Sequence, residues 1–291
     1  MNAKALFKIA IIGGSGLYEI DGVDNIDEVT VETPFGFPSD SIITGTYQGI
    51  PIAFLPRHGK GHRITPSELP ARANIYALKM LGVERIISVS AVGSLRAEIS
   101  PLDMVVPDQL IDRTRLRGNT FFGDGIVGHI SFGSPFCINT SKLLVDSAKL
   151  VGAKVHEGGT YVVMEGPAFS TKAESHTYRS WGASIIGMTA LPEAKLAREA
   201  EICYSTLACV TDYDVWHESE AEVTVEMIIQ NLLKNVAKSK ETLRILIPKL
   251  ANLERNCECE SALANAIITS PETIPQNTKE RLAAIIGRYI S

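Results

Sequence analysis

The chain has 291 residues, of which 45% are hydrophobic and 21% charged, and this is the composition of an ordinary globular protein. A formal net charge of -5 argues against a nucleic-acid-binding surface. No apolar run is long enough to cross a bilayer, and a lysine interrupts the apolar N-terminal stretch, which therefore does not resemble a secretory signal; we expect a cytoplasmic protein without membrane contact.

Strand and helix patterns alternate along the first 250 residues. The first half predicts a buried strand at FKIAIIGG, then a hairpin, a helix, a second buried strand and a strand broken by Pro107, over 7–14, 41–56, 70–81, 83–94 and 103–112. The second half predicts three more strands and three helices, the last helix long and amphipathic, over 160–166, 172–182, 183–189, 192–201, 202–212 and 222–246. This alternation predicts an α/β fold, a single domain whose central β-sheet is flanked by helices and is mixed because of the hairpin.

Residues 251–291 differ in character from the preceding domain, residues 1–250. They contain a C-x-C motif, the stretch SALANAIITS (261–270), which predicts a short apolar helix, and a last helix after PETIPQ. We interpret this part as a helical C-terminal extension, packed on the main domain or on a neighbouring chain, and not as an independent domain.

Glycines, hydroxyls and basic residues collect where the predicted strands end, and ligands of open α/β sheets bind beyond those ends. GGSG (13–16), with Ser15, forms a turn that suits an anion, although a plain glycine-rich turn is the alternative and the dinucleotide fingerprint is incomplete. PRHGKGHR contains Arg57 and His58, which can hold phosphate or carboxylate unless the loop is merely solvated. Zinc is disfavoured there because its histidines lack a third ligand. Ser90 and Thr189 lie at two further strand ends.

Asp212 and Asp214 end the apolar strand at VTDYD. Residues i and i+2 of a strand face the same side, so both carboxyls can contact one flat ligand. A 6-aminopurine offers an acceptor at N7 and a donor at N6, and it matches a pair of carboxyls that share one proton. An exposed turn with two acidic residues is the alternative when the motif is considered alone.

The five cysteines are too few for a disulfide scaffold in a chain of this length. Cys137, Cys203 and Cys209 lie in apolar stretches and are interpreted as packing residues. Cys257 and Cys259 form the C-x-C motif. A metal site needs a second ligand pair and the sequence places none nearby. Two free thiols are expected in a reducing cytosol, with a small-ring disulfide as the alternative.

Together these segments resemble a known family. IIGGSGLY, PRHGKGHRITPSELPARANIYALK, SAVGSLR, EGPAFSTKAE, WGASIIGMTALPEAKLAREAEICY and TDYD are similar to the methylthioadenosine phosphorylases, which belong to the trimeric purine nucleoside phosphorylases. The resemblance implies phosphorolysis of 5'-deoxy-5'-methylthioadenosine to adenine and 5-methylthioribose 1-phosphate. It implies no cofactor or metal, inorganic phosphate as a co-substrate, and a homotrimer, with pairing of trimers into a hexamer left open.

The resemblance also assigns roles to individual residues. Around phosphate it places Ser15, Arg57, His58, Ser90, Ala91 and Thr189. Around the nucleoside it places Phe169 and the Met188 backbone, with Val225, Ile228 and a neighbouring subunit's His129 at the 5'-methylthio group. Asp212 would protonate purine N7 and Asp214 would accept from N6, although the two could share these roles. In thermostable members, cysteines matching the C-x-C and the pair Cys137 and Cys203 form disulfides.

Three other functions compete with this one. A phosphorylase for methylthioinosine or other 6-oxopurine nucleosides is disfavoured by the aspartate pair, because a carboxylate opposite O6 would be repelled. A nucleoside sensor without catalysis could dispense with the phosphate-binding residues. An NAD-dependent oxidoreductase is disfavoured by the incomplete glycine fingerprint.

Overall fold

The computed structural model of the chain describes residues 7–14, 17, 20–217 and 225–290, without the side chains of residues 225, 227 and 228. Eleven strands form one sheet, numbered β1 to β11 in chain order: Ile9–Gly13, Val23–Val29, Ile42–Tyr47, Ile50–Pro56, Arg85–Ser94, Met104–Val106, Gln109–Arg113, Val155–Glu157, Thr160–Met164, Ile185–Gly187 and Cys203–Tyr213. Seven helices, α1 to α7, are Ala71–Met80, Ile138–Leu150, Lys172–Ser180, Ala190–Glu199, Val225–Ala251, Gln276–Arg281 and Ala283–Ile286.

The sheet is mixed, as the sequence predicts. Strand β1 pairs in parallel with β4 and β5, whereas β3 and β4 form the predicted antiparallel hairpin. Pro107 separates β6 from β7, and these two short strands pair in different parts of the sheet, β6 with β8 and β11 and β7 with β9. Strands β2 and β8 and helix α2 are additional elements that the sequence patterns did not predict.

Alternating residues of the buried strands supply two apolar cores, one on each face of the sheet. In β1, Ala10 and Ile12 belong to the core under α1, α4 and α7, whereas Ile9 and Ile11 belong to the core under α2 and α5. Side chains of a strand alternate between faces, so a continuous apolar run is what a sheet covered on both sides requires. None of the described helices combines the length and the apolar character that a membrane span needs.

Strand β5 has three neighbours and forks the sheet. It pairs with β11 along its length, with β1 only as far as Ser88, and with β10 only from Gly93. On the edge of β5 that pairs with β1 and β10, the four residues Val89 to Val92 therefore pair with neither strand. Among the described residues, no neighbouring strand engages the backbone N–H and C=O groups of this interval on that edge, and those that no side chain engages are available to a ligand.

The C-terminal extension packs on the main domain. Leu263, Leu282 and Ile286 are buried in the core under α1 and α4. The predicted helix over 261–270 is wrong: a short 3-10 helix at Glu258–Ser261 is followed by turns. The backbone of this stretch pairs with a loop instead, because Ile268 N–H donates to Val127 at 3.0 Å and Ala266 accepts from His129 N–H at 2.8 Å. The last predicted helix is present as α6 and α7.

Four of the five cysteines meet in space. The sulfur atoms of Cys137, Cys203, Cys257 and Cys259 all lie within 4.8 Å of one another. The expectation that no second ligand pair lies near the C-x-C motif is therefore wrong in three dimensions, because α2 and β11 bring Cys137 and Cys203 to it. Cys209 lies elsewhere on β11, beside Ser239.

Candidate active site

A cavity of about 320 Å³ opens at the fork of the sheet. Gly14, Leu17 and the open edge of β5 line it, together with residues from β10, β11 and α5. Most of the residues singled out from the sequence contribute to its wall: Arg57, His58, Ser90, Ala91, Phe169, Met188, Thr189, Asp212 and Asp214. Strand ends far apart in sequence thus converge on one site.

Four predicted site residues are not among the described residues that line this cavity, for two different reasons. Ser15 and the side chains of Val225 and Ile228 lie outside the described residues. His129 is exposed and lies on the loop paired with the C-terminal extension, outside the lining of its own chain's cavity. Its assignment to a neighbouring subunit's site stays a prediction.

The open edge of β5 forms one end of the cavity, and hydroxyl groups surround it. The Ser90 and Thr189 hydroxyls are buried near the Tyr161 hydroxyl, and none of the three makes a hydrogen bond of good geometry among the described residues. Thr189 precedes helix α4 without capping it through its side chain. A buried hydroxyl without a partner costs free energy, so these two groups are prepared for an acceptor such as an anion.

Arg57 lies behind these hydroxyls and is fully buried. Its Nε donates to Oε1 of Glu193 at 2.5 Å and its Nη2 to Oε2 at 3.2 Å, while its Nη1 donates to the Val89 carbonyl at 3.1 Å. The Tyr204 hydroxyl donates to the same carboxylate at 2.9 Å. Arg57 is thus fixed by a buried ion pair and reaches the open edge of β5 through one nitrogen.

His58 is neutral at the cavity wall. Burial, followed by the charge of neighbouring Arg57, lowers the pKa of His58 to about 4. Its Nδ1 lies 2.9 Å from the Ile64 carbonyl, which can only accept, so Nδ1 carries the hydrogen and Nε2 is left as an acceptor. A phosphate that still carries a proton can donate to this nitrogen.

Asp212 and Asp214 form the other end of the cavity, and a β-bulge aims them. The register between β11 and β5 shifts between Val210 and Asp212, so that Asp212 lies opposite Gly93. The Thr211 hydroxyl, at the bulge, donates to Oδ2 of Asp212 at 2.7 Å. Bulges re-aim side chains next to active sites, and this one turns the carboxyl of Asp212 into the cavity.

Asp214 is buried, and Oδ2 of its carboxyl has no partner among the described residues. Burial is the main cause that raises the pKa of Asp214 above its usual value, while hydroxyls near it oppose the shift and the charge of Glu174 adds to it. The protonated form of this carboxyl is therefore favoured relative to a carboxyl in water.

Gly93 lies beneath both carboxyls. A Cβ built on this residue would lie 3.0 Å from Oδ1 of Asp212 and 3.5 Å from Cβ of Asp214. The two aspartates are therefore close to one point on β5, as the i, i+2 spacing predicts. The absence of a side chain at Gly93 leaves the space between the strand and the carboxyls open for a flat ring.

Two asparagines on helix α5 support the bulge, and the sequence reading missed them. Asn231 donates from Nδ2 to the Thr211 carbonyl at 2.6 Å, and Asn235 donates to the Val210 carbonyl at 3.0 Å. Residues four apart lie on the same helix face, so this pair satisfies two carbonyls of the irregular strand. The signal was present as N-x-x-x-N in this amphipathic helix.

The sequence reading also missed Arg117, which connects two loops near the cavity, those containing Glu165 and Met188. Its guanidinium donates to the backbone carbonyls of Met188 at 2.5 Å, Leu191 at 2.6 Å and Glu165 at 2.6 Å. The Met188 carbonyl thus accepts one hydrogen bond within the protein, and the second lone pair of its oxygen and the Met188 N–H can still contact a ligand. Phe169 is about half exposed at the mouth of the cavity, with 49% of its surface accessible.

Residues 8–248 match the sequence profile of the Phosphorylase superfamily. The chain is 57% identical to the S-methyl-5'-thioadenosine phosphorylase of Geobacter sulfurreducens over 97% of this chain and 99% of that protein. It is 55% identical to that of Gloeobacter violaceus over 97% and 96%. A crystal structure of a methylthioadenosine phosphorylase from an antarctic soil metagenomic library superposes with a TM-score of 0.93, 50% identity and coverage of 96% of this chain and 98% of that one.

A more distant enzyme has been solved with its ligand. A variant of the adenosine/methylthioadenosine phosphorylase of Schistosoma mansoni, in complex with methylthioadenosine, is 32% identical and has a TM-score of 0.80, over 97% of this chain and 98% of that one. The sequence relatives and the solved structures thus match nearly the whole chain, and the family profile matches residues 8–248.

Proposed function

The chain belongs to the phosphorylase superfamily, and we propose that it cleaves 5'-deoxy-5'-methylthioadenosine with inorganic phosphate, releasing adenine and 5-methylthioribose 1-phosphate. One observation carries the proposal: one cavity has two buried carboxyls at one end and, around an open strand edge at the other, the hydroxyls of Ser90 and Thr189, which have no hydrogen-bond partner among the described residues. The first end suits an aminopurine and the second suits phosphate.

The phosphate end supplies positioning and charge. Ser90 and Thr189 donate to phosphate oxygens together with backbone N–H groups at Ala91, and Arg57 contributes its positive charge from behind. Neutral His58 accepts, through Nε2, a hydrogen bond from a protonated phosphate oxygen, and the proton stays on phosphate. Phosphate held beneath the sugar stabilises the positive charge that develops at C1' and then attacks it, so that the C1'–O bond forms as the C1'–N9 bond breaks.

The purine end receives the electron pair of the broken bond. Asp212 and Asp214 hold one proton between them, because burial raises the pKa of Asp214 and two adjacent carboxyls do not ionise independently. In the free site burial favours this proton on Asp214; when the nucleoside binds, its C6 amino group donates to Asp214 and favours the ionised form of that carboxyl, so the proton passes to Asp212, which delivers it to N7. Adenine then leaves neutral, which lowers the barrier.

The apolar wall of the cavity selects for the 5'-methylthio group of the sugar. Leu17, Leu232 and Val236 give the lining an apolar side. A methylthio group is satisfied by such a surface, whereas a 5'-hydroxyl would lose its hydrogen bonds there. We propose that a trimer adds His129 of one chain to the site of the next.

The experiment that tests this function is base release from methylthioadenosine, methylthioinosine, adenosine and inosine, each with and without phosphate. We expect rapid, phosphate-dependent release of adenine from methylthioadenosine. A preference for the inosine compounds would overturn the assignment of the aspartates, and release that does not need phosphate would overturn the phosphorylase itself.

A further inference from the structure

Four cysteine sulfurs form a compact cluster away from the residues assigned to catalysis. They belong to Cys137, Cys203, Cys257 and Cys259, and all lie within 4.8 Å of one another. Four thiolates that bind one zinc ion at about 2.3 Å lie at the corners of a tetrahedron with edges of about 3.8 Å. The cluster needs only small side-chain adjustments to reach that geometry.

The four cysteines come from three separate parts of the fold. Cys137 precedes helix α2, Cys203 begins β11, and Cys257 and Cys259 belong to the C-terminal extension. Three of the four are buried and Cys257 is half-buried. Thiols are poor hydrogen-bonding groups, so packing alone gives no reason for four of them to converge at one dry point.

Three groups that can stabilise a bound thiolate lie next to the cluster. Cys137 is the N-cap residue of the thirteen-residue helix α2, where the helix dipole stabilises a thiolate. The Thr140 hydroxyl donates to the Cys137 sulfur at 3.4 Å. The Arg255 guanidinium lies beside Cys203. A tetrathiolate zinc site carries two negative charges, and such outer contacts typically compensate and orient its ligands.

We propose that Cys137, Cys203, Cys257 and Cys259 bind one zinc ion as a closed structural site that fastens the C-terminal extension to the sheet. Binding converts four thiols to thiolates and releases up to four protons, with no change of oxidation state. Four sulfurs in a tetrahedron suit zinc or iron, and zinc binds such a site more tightly than Fe²⁺.

Two disulfides are the main competing outcome. The resemblance pairs Cys137 with Cys203 and Cys257 with Cys259. In the structure, however, Cys203 lies 3.3 Å from Cys257, a member of the other pair, and all four sulfurs are mutual neighbours. Disulfides would divide the cluster into two bonded pairs of about 2.05 Å each. A shared central ion accounts for the undivided cluster without preferring any pair.

The extension connects this site to a second part of the fold. Cys257 and Cys259 lie just before the stretch whose Ala266 and Ile268 pair with the backbone of His129 and Val127. Zinc would therefore fix the start of the segment that supports the His129 loop. A site of this kind contributes folding free energy to the elements that it joins.

The first test is the metal content of the full-length protein, purified with a thiol reductant and without a chelator or an immobilised-metal step. We expect one zinc per chain. Cys203→Ser and Cys257→Ser should lose essentially all of it, and the matched control Cys209→Ser, a buried cysteine outside the cluster, should retain it.

A second measurement uses the wild-type chain alone and so does not depend on whether a variant folds. Titration with a mercurial reagent should release zinc in step with the modification of four thiols. Replacement of zinc by Co²⁺ should give the strong visible absorption of a tetrahedral thiolate complex. A strong chelator should lower Tm in the wild-type protein.

Each alternative result would overturn the proposal. Zinc absent with four alkylatable thiols would mean a cysteine cluster without metal. Four cysteines that resist alkylation until they are reduced would mean disulfides. Iron instead of zinc, or zinc retained in the Cys203→Ser and Cys257→Ser variants, would exclude the proposed ion or the proposed ligands.

Discussion

Arg57 and Glu193 form a two-point ion pair in the interior of the protein, with Nε to Oε1 at 2.5 Å and Nη2 to Oε2 at 3.2 Å. Both side chains are almost completely inaccessible, at 2% and 3%. A buried charge that loses its partner is far more costly than an exposed one. The pair therefore stabilises the fold and at the same time fixes Arg57 at the phosphate end of the cavity.

Removal of the carboxylate should destabilise the fold. We expect Glu193→Ala to lower the free energy of unfolding by roughly 3–5 kcal/mol, because Arg57 is left buried without a counter-charge. The exposed pair between Lys60 and Glu28, at 2.6 Å, is the matched control, and Glu28→Ala should cost less than about 1 kcal/mol. Urea unfolding measures both variants, and similar losses would show that burial of the Arg57 pair does not matter.

The hydroxyls of Ser90 and Thr189 should matter for phosphate and not for folding. Each has no partner in the described structure, so Ser90→Ala and Thr189→Val remove an unsatisfied group and should leave the free energy of unfolding unchanged or increased. Each should raise the KM for phosphate about tenfold or more, since a hydrogen bond to a charged group is lost.

The control for these hydroxyls is Thr206→Val. Thr206 is also buried, and its hydroxyl has no hydrogen-bond partner in the described part of the chain, but it does not line the cavity. Its KM for phosphate should equal that of the wild type. An equal rise in the KM for the nucleoside in Ser90→Ala or Thr189→Val would contradict the separation of the cavity into two ends.

Each aspartate should be required for cleavage of the aminopurine nucleoside. We expect Asp212→Asn and Asp214→Asn to lower kcat/KM for methylthioadenosine by roughly a hundredfold or more, because the shared proton and its acceptor are lost. Asp146→Asn, an exposed change on α2, is the control. Asp212→Asn should have the larger effect on kcat; if Asp214→Asn does instead, the two roles are exchanged.

Glu199 should make the protein less stable as pH rises. Burial raises the pKa of Glu199 from 4.5 to about 7, against hydrogen bonds from the Phe121 N–H and the Thr120 hydroxyl at 2.7 Å. The folded state therefore retains a proton that the unfolded chain loses. The stabilisation is complete below pH 4.5 and is lost as pH rises through about 7.

The measurement compares wild type with Glu199→Gln by urea unfolding between about pH 4 and pH 8. The variant cannot ionise at this position, so wild type should lose up to about 3 kcal/mol relative to it across this range. A difference between the two proteins that does not change with pH would show that Glu199 titrates normally.

The sequence predicted the strands that line the cavity because their patterns are local. FKIAIIGG and VERIISVSAVGS are apolar on both faces, and that is the signature of strands β1 and β5 buried between helix layers. Asp212 and Asp214 were predicted to face one ligand from the i, i+2 rule alone. Strand β2 was not predicted, since its residues are mostly exposed and charged and its pairing comes from β3.

Other features depend on contacts that local patterns cannot show. The partner of Arg57, Glu193, lies 136 positions away, and Asn235 meets the β11 bulge only after α5 crosses the sheet. The stretch 261–270 has helical composition, yet its backbone groups pair with the loop at Val127 and His129. The C-x-C motif looked isolated in sequence because the other two cysteines are brought to it by the fold.

The stretch of β5 that can bind an anion follows from the order in which the strands pair, and it does not depend on any catalytic side chain. A strand that exchanges partners between Ser88 and Gly93 must expose backbone over that interval, whatever side chains it carries. Changes at the end of β11 alone would then alter the base that is recognised, while the pairing of β5 with β1, β10 and β11 keeps the other reactant in place. One scaffold can thereby serve many nucleosides through changes at a single strand terminus.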